Sequence, residues 1–218
     1  MKLLLTSSGI TNKSIEKALR ELLDKSFKEA CVVFVPTAAN GEAGDKSWLV
    51  NDMNNFRILG FKSFEIIDIA VVPQNIWLPR FKNADVLVFG GGDQKYLLTQ
   101  MRESGLENEL QTMLQSKVYV GISAGSMVTA QSITLSYTNI LYYEKEGRFE
   151  DIDGLGYVDF EIRPHLNSKW FPKVNIPYLS DLAKKHNRPF YAIDDASAVV
   201  VDREKVRVVS EGTWKKFN

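Results

Sequence analysis

Cysteine and histidine are both scarce in this chain, and their scarcity removes whole classes of chemistry. The single cysteine, Cys31, excludes an intrachain disulfide and any multi-cysteine zinc site. It sits in the apolar run Cys31-Val32-Val33-Phe34-Val35 and reads as a buried core thiol. Two histidines, His165 and His186, are too few for a histidine-rich metal site and leave room only for a mixed carboxylate one. We expect neither a metal nor a cofactor. An excess of one charge is also missing. The 27 basic and 27 acidic side chains sum to zero, so neither nucleic acid nor an anionic membrane is expected as partner. No apolar run approaches the length of a transmembrane helix. The N-terminal MKLLLTSSG has a lone lysine and three consecutive leucines, too little for a signal peptide. It reads as a first strand entering a turn, and the expected location is the cytoplasm.

What is present is an ordinary globular composition, 44% hydrophobic and 25% charged, over 218 residues. No repeat, low-complexity tract or linker interrupts it, so one domain spanning 1–218 is expected. Short apolar runs alternate with amphipathic ones. Lys2–Thr6, Ala30–Val35, Phe64–Ile69, Val86–Phe89 and Val118–Val120 read as strands. Lys13–Lys25, Ser47–Leu59, Gln94–Ser104 and Leu106–Gln115 read as helices, the first capped by Asn12 and the second ended by Gly60. This rhythm predicts a mostly parallel sheet with helices on both faces. Phe190–Ile193, Ala198–Val201 and Val206–Val209 are closely spaced strands that predict a C-terminal antiparallel hairpin added to the sheet. Thr134–Glu161 mixes aromatics, charges and glycines and reads as loop-rich.

Two glycine-rich turns fall at strand ends, where open parallel sheets bind ligands. They are Gly90-Gly91-Gly92-Asp93 and Gly121-Ile122-Ser123-Ala124-Gly125. The second has the G-x-S-x-G spacing of a nucleophile elbow. Small flanking residues permit the sharp turn, the serine oxygen projects above the sheet, and the N–H of Ala124 can meet an oxyanion. A plain turn serine is the competing reading. Gly90-Gly91-Gly92 could also hold phosphate, but no P-loop lysine follows and Asp93 would repel the anion. A serine hydroxyl needs a base. His165, fixed behind Pro164, is the better candidate. His186 lies in a charged helix end and reads as solvent-exposed. Asp194 and Asp195 close a strand among small residues, where they could orient a histidine or serve a turn. Arg163 reads as a surface residue.

In this order, Gly90-Gly91-Gly92-Asp93, Gly121-Ile122-Ser123-Ala124-Gly125, Pro164-His165 and Ile193-Asp194-Asp195 resemble the peptidase E family of serine hydrolases, which also contains the cyanophycinases. The resemblance runs from MKLLLTSSG through VVVDREKV. It implies a single three-layer α/β domain related to class I glutamine amidotransferases, of the flavodoxin-like type. It implies Ser123 as nucleophile, His165 as general base and Asp195 as the third member. It also implies an oxyanion site at Gly91 or Gly92 beside Ala124. Peptidase E members cleave dipeptides with an N-terminal aspartate and usually carry Asn after the glycine turn. Here Asp93 stands there, and its charge would disfavour an aspartyl substrate unless a cation such as Arg163 offsets it. The expectation is a serine peptidase acting on short peptides, a dipeptidase related to aspartyl dipeptidase. A cyanophycinase-like exopeptidase and a non-catalytic small-molecule binding protein are the alternatives.

Overall fold

Apolar runs without polar interruption form the middle of the main sheet, because central parallel strands are covered on both faces. The computed structural model describes residues 1–218. Its elements in chain order are β1 (Lys2–Thr6), α1 (Lys13–Leu23), β2 (Cys31–Val35), α2 (Thr37–Asn40), α3 (Ser47–Arg57), β3 (Ser63–Ile66), α4 (Gln74–Asn83), β4 (Val86–Phe89), α5 (Gln94–Glu103), α6 (Leu106–Met113), β5 (Val118–Ile122), α7 (Ala124–Met127), β6 (Ser132–Ile133), α8 (Leu135–Tyr142), β7 (Ile152–Asp153), β8 (Glu161–Arg163), α9 (Ile176–Ala183), β9 (Phe190–Ile193), β10 (Ser197–Asp202), β11 (Lys205–Ser210) and β12 (Trp214–Phe217). The main sheet has the order β11-β10-β1-β5-β4-β2-β3. Strands β1 to β5 pair in parallel, and the β10–β11 hairpin joins antiparallel beside β1.

Side chains alternate between the two faces of a strand, and the core divides accordingly. Leu3, Leu5, Val33, Val35, Leu87, Phe89 and Tyr119 face one cluster, which α4, α5 and α6 cover with Trp77, Leu97 and Leu110 among others. Leu4, Val32, Phe34, Val88 and Val120 face the other, covered by α1 and α3 through Ile15, Leu19, Leu22 and Phe56. Each such leucine contributes roughly 2 kcal/mol by leaving water. The result is a three-layer α/β sandwich with a mostly parallel sheet. Asn12 caps α1 by accepting from the Ile15 N–H at 3.0 Å. No helix is long and apolar enough to cross a membrane.

The C-terminal third departs from the sequence expectation. Phe190–Ile193 does not enter the main sheet. It pairs in parallel with β8 and antiparallel with β12 in a second, three-stranded sheet. The cause is the turn at Asp194. One carboxylate oxygen accepts from the Ala196 N–H at 3.0 Å and the Ser197 hydroxyl at 2.6 Å, and the other from the Thr213 N–H. These bonds bend the chain sharply between β9 and β10. Inside Thr134–Glu161 a helix, α8, stands where loop was expected. Its sequence, LSYTNILY, is rich in poor helix formers, so packing of Leu141 and burial of Thr138 hold it.

Candidate active site

Five chain segments meet at the C-terminal ends of β1, β4, β5, β8 and β9. The elbow comes first. Ser123 follows β5 with φ 48° and ψ −108°, a conformation that costs a non-glycine residue about 1–3 kcal/mol. Local bonds hold it there. The Ser123 N–H and the Ser126 hydroxyl both donate to the Thr6 carbonyl, at 3.0 and 2.8 Å, and the Thr6 hydroxyl donates to the Gly121 carbonyl at 2.7 Å. Both elbow glycines are sterically required. A Cβ on Gly121 would stand 2.6 Å from the Gly125 carbonyl oxygen, and one on Gly125 would collide with the carbonyl of Phe89.

The second glycine turn lies directly alongside. A Cβ on Gly91 would stand 3.4 Å from the Ser123 Cβ, while Gly92 has φ 127° and any side chain there would strike the Ala38 backbone. The N–H groups of Gly91, Gly92 and Ala124 have no acceptor within the protein. Asp93 lines the cleft and caps α5, accepting from the Tyr96 N–H at 2.8 Å. It therefore has a structural duty at the position where a substrate contact was expected.

His165 follows β8 and Asp195 follows β9. The parallel register Arg163↔Ala192 brings the two strand ends side by side. Ser123 Oγ lies 2.9 Å from His165 Nε2, and His165 Nδ1 lies 2.8 Å from Asp195 Oδ1. The histidine backbone has φ 64°, and its ring rests near Phe171 with centroids 5.0 Å apart. Partial burial opposes ionisation of Asp195, but hydrogen bonding to His165, the charge of His165 and the Ser7 hydroxyl outweigh it and hold the carboxyl down at about 2. It is ionised across the working pH range of most enzymes.

Ser7 escaped the sequence reading. It is fully buried just after β1, and its hydroxyl donates to Asp195 Oδ1 at 2.5 Å while accepting from the His165 N–H at 2.8 Å. One side chain thus fastens the histidine loop to the acid. Its only sequence signal is its place after a buried strand, shared with Ser8. Asp52 also lines the cleft from α3 and was not singled out. The whole cleft measures about 970 Å³ and holds Trp48, Met127, Tyr142, Tyr143, Trp170 and Phe171 among its walls. That is the upper end of ordinary small-molecule sites. No group of three His, Cys, Asp or Glu side chains is placed to hold a metal ion.

Two residues read as surface-exposed are in fact buried. Arg163 is 1% exposed and pairs with Glu161 and the Thr138 hydroxyl, the latter at 3.3 Å. It therefore does not offset Asp93. His186 is 7% exposed, with Nε2 3.2 Å from Glu161 Oε1. Burial opposes ionisation of Glu161, and the charges of Arg163 and His186 more than compensate, lowering its carboxyl below the usual range. The carboxylate that both face, Glu161, lies two residues before Arg163, but its other partner His186 is distant along the chain and only the fold brings the three together.

The chain is similar to known proteins over most of its length. A family model described as Peptidase family S51 matches residues 3–209. An uncharacterized peptidase of Pasteurella multocida is 25% identical over 181 residues, 82% of this chain and 84% of that protein. An uncharacterized peptidase of Listeria monocytogenes is 25% identical over 191 residues, 84% of this chain and 87% of that protein. Among solved structures, a proposed peptidase E protein from Listeria monocytogenes superimposes with a TM-score of 0.77 at 22% identity, covering 97% of this chain and 98% of that one. A peptidase from an acI-B1 Actinobacterium gives a TM-score of 0.70 at 20% identity, covering 98% and 88%. These two likenesses speak for the fold, and the family match speaks for the chemistry: the chain belongs to peptidase family S51 and is a serine-type peptidase.

Proposed function

We propose that the protein is a dipeptidase that works through an acyl-enzyme formed on Ser123, with His165 as base and Asp195 as its orienting acid. The observation that carries this reading is the unbroken line from Ser123 Oγ through both ring nitrogens of His165 to Asp195, at 2.9 and 2.8 Å. In this mechanism Ser123 Oγ attacks the peptide carbonyl carbon and passes its proton to His165 Nε2. Asp195 keeps the other ring nitrogen protonated and stabilises the imidazolium. The carbonyl oxygen, now negative, enters the space beside Gly91, Gly92 and Ala124, whose N–H groups are unpaired. His165 then returns the proton to the departing amine, and water repeats the sequence in reverse on the ester.

Preference for a short substrate is supported by the cleft, which is about 970 Å³ and walled by aromatic side chains. Asp93 adds a second expectation. Its carboxylate in the cleft disfavours an acidic first residue, so preference for N-terminal aspartate is weaker here than in aspartyl dipeptidases. The test is labelling with a fluorophosphonate, followed by hydrolysis of Ala-Leu, Asp-Leu and the tripeptide Ala-Leu-Leu. Stoichiometric labelling of Ser123 and faster cleavage of the dipeptides are expected. A native protein that leaves the probe unreacted and every peptide intact would end the reading.

A further inference from the structure

The cleft carries an unbalanced charge. Glu42, Asp45, Asp52, Asp93 and Asp195 line it, against Lys145 as the one lysine. Four of these acids are occupied. Glu42 accepts from the Tyr143 hydroxyl at 2.9 Å, and Asp45 accepts from the Ser47 hydroxyl at 2.8 Å. Asp93 caps α5, and Asp195 holds His165 and Ser7.

Asp52 is different. It is 8% exposed, yet its carboxyl has no hydrogen bond or ion pair with the rest of the protein. It reaches from α3 toward the turn that follows Ser7 and Ser8, where its Oδ1 lies 3.8 Å from the point a Cβ on Gly9 would occupy. Burial, and then the charge of Asp195, push this carboxyl up to about 7. An acid buried without a protein partner costs stability, and this one stands on the wall of the cleft. Such a group gains most when a cation replaces its lost hydration.

We propose that Asp52 receives a positively charged alkylammonium group of the substrate, so that the cleft selects amines and rejects acids. The inference rests on the peptidase reading above and names the substrate chemistry of that site. The ammonium has two possible sources, the free N-terminus of the peptide or a basic side chain on the residue whose carbonyl is attacked. A metal ion is a poor fit, since no third ligand joins the cluster.

Two measurements decide it. The first compares hydrolysis of the p-nitroanilides of alanine, lysine, aspartate and N-acetylalanine by the native protein and by Asp52→Asn. The native protein should favour alanine and lysine over N-acetylalanine and aspartate. In Asp52→Asn the alanine to N-acetylalanine ratio of kcat/KM should fall at least tenfold, through KM, if the N-terminus is the source. If the side chain is the source, the lysine to alanine ratio falls instead. Ratios that are unaltered in the variant, or a native preference for aspartate, overturn the proposal. The second measurement is independent of catalysis and of the variant's folding. Hexylamine and hexanoate are titrated against the native protein by calorimetry, with amine binding expected to be at least tenfold tighter. Equal affinities overturn the proposal. If fluorophosphonate leaves Ser123 unmodified, the hydrolase reading falls; the amine titration still decides whether the cleft takes an ammonium group, and its repetition on Asp52→Asn, where the preference should be lost, decides the role of Asp52.

Discussion

The two histidines of this chain each face a carboxylate, and the two places could hardly be used more differently. His165 Nδ1 is 2.8 Å from Asp195, and His186 Nε2 is 3.2 Å from Glu161. At His165 the second ring nitrogen meets a serine hydroxyl in an open cleft, and the backbone N–H of the same residue is held by the Ser7 hydroxyl. At His186 the ring is enclosed by Tyr137 and Phe190, and its carboxylate is shared with the buried Arg163. A histidine–acid pair therefore implies catalysis only where the other nitrogen has access to a reacting group. Enclosed and shared with a guanidinium, the same pair lies between β8 and the chain just past α9, with no reacting group in reach.

The sharpest way to break this comparison is to exchange the effects. Ser123→Ala or His165→Gln should lower kcat by on the order of a thousandfold or more, about 4 kcal/mol in the barrier, with the thermal midpoint close to native. His186→Gln should do the reverse, lowering the midpoint while changing turnover by less than tenfold. Steady-state kinetics beside thermal melts read both, and loss of turnover in His186→Gln with His165→Gln still active would invert the assignment. Next in size is Arg163→Met, which takes the guanidinium away from buried Glu161 and leaves its charge only partly met by His186 and the Thr134 hydroxyl. A cost of about 3–5 kcal/mol in urea unfolding is expected. The double variant Glu161→Met/Arg163→Leu should be less destabilised than Arg163→Met, because it removes that charge. The opposite order would show that the pair contributes more than its own desolvation costs.

Ser7→Ala sharpens the other half of the comparison. Asp195 and His165 lose the hydroxyl that joins them, and kcat should fall by about tenfold to a hundredfold with KM nearly constant, roughly 1.4 to 2.7 kcal/mol. Ser7→Thr should restore part of the loss if the hydroxyl is what matters. A matching change in both variants would reduce Ser7 to a packing role. The smallest effect concerns Asp52. Its carboxyl in the folded protein is raised to about 7 from 3.8, so the folded state binds a proton more tightly than the unfolded one. Stability then declines as pH rises from about 3.8 to about 7. Asp52→Asn should be more stable than native at pH 8 by on the order of 1 kcal/mol, since the amide left behind is also unpaired. The gain should shrink as pH approaches 4, and thermal melts across that range would detect its absence.

The sequence by itself determined the parallel half of the fold and the elbow. Leu3–Leu5, Val32–Val35, Val86–Phe89 and Val118–Val120 have no interruption, and only a strand covered on both faces tolerates that. Gly121 and Gly125 around Ser123 carry their own steric reason, a turn too tight for any side chain. These signals are local, and local sequence is enough to express them. Tertiary structure decided the rest. The choice between Asp194 and Asp195 is made by a turn in which Asp194 is taken up by Ala196, Ser197 and Thr213, leaving its neighbour to face His165. The burial of His186 against Glu161, the bridge at Ser7 and the solitary carboxyl of Asp52 all depend on partners, or on their absence, far away along the chain. Charge and hydroxyl groups acquire their roles from what surrounds them, and a linear pattern carries no record of those surroundings.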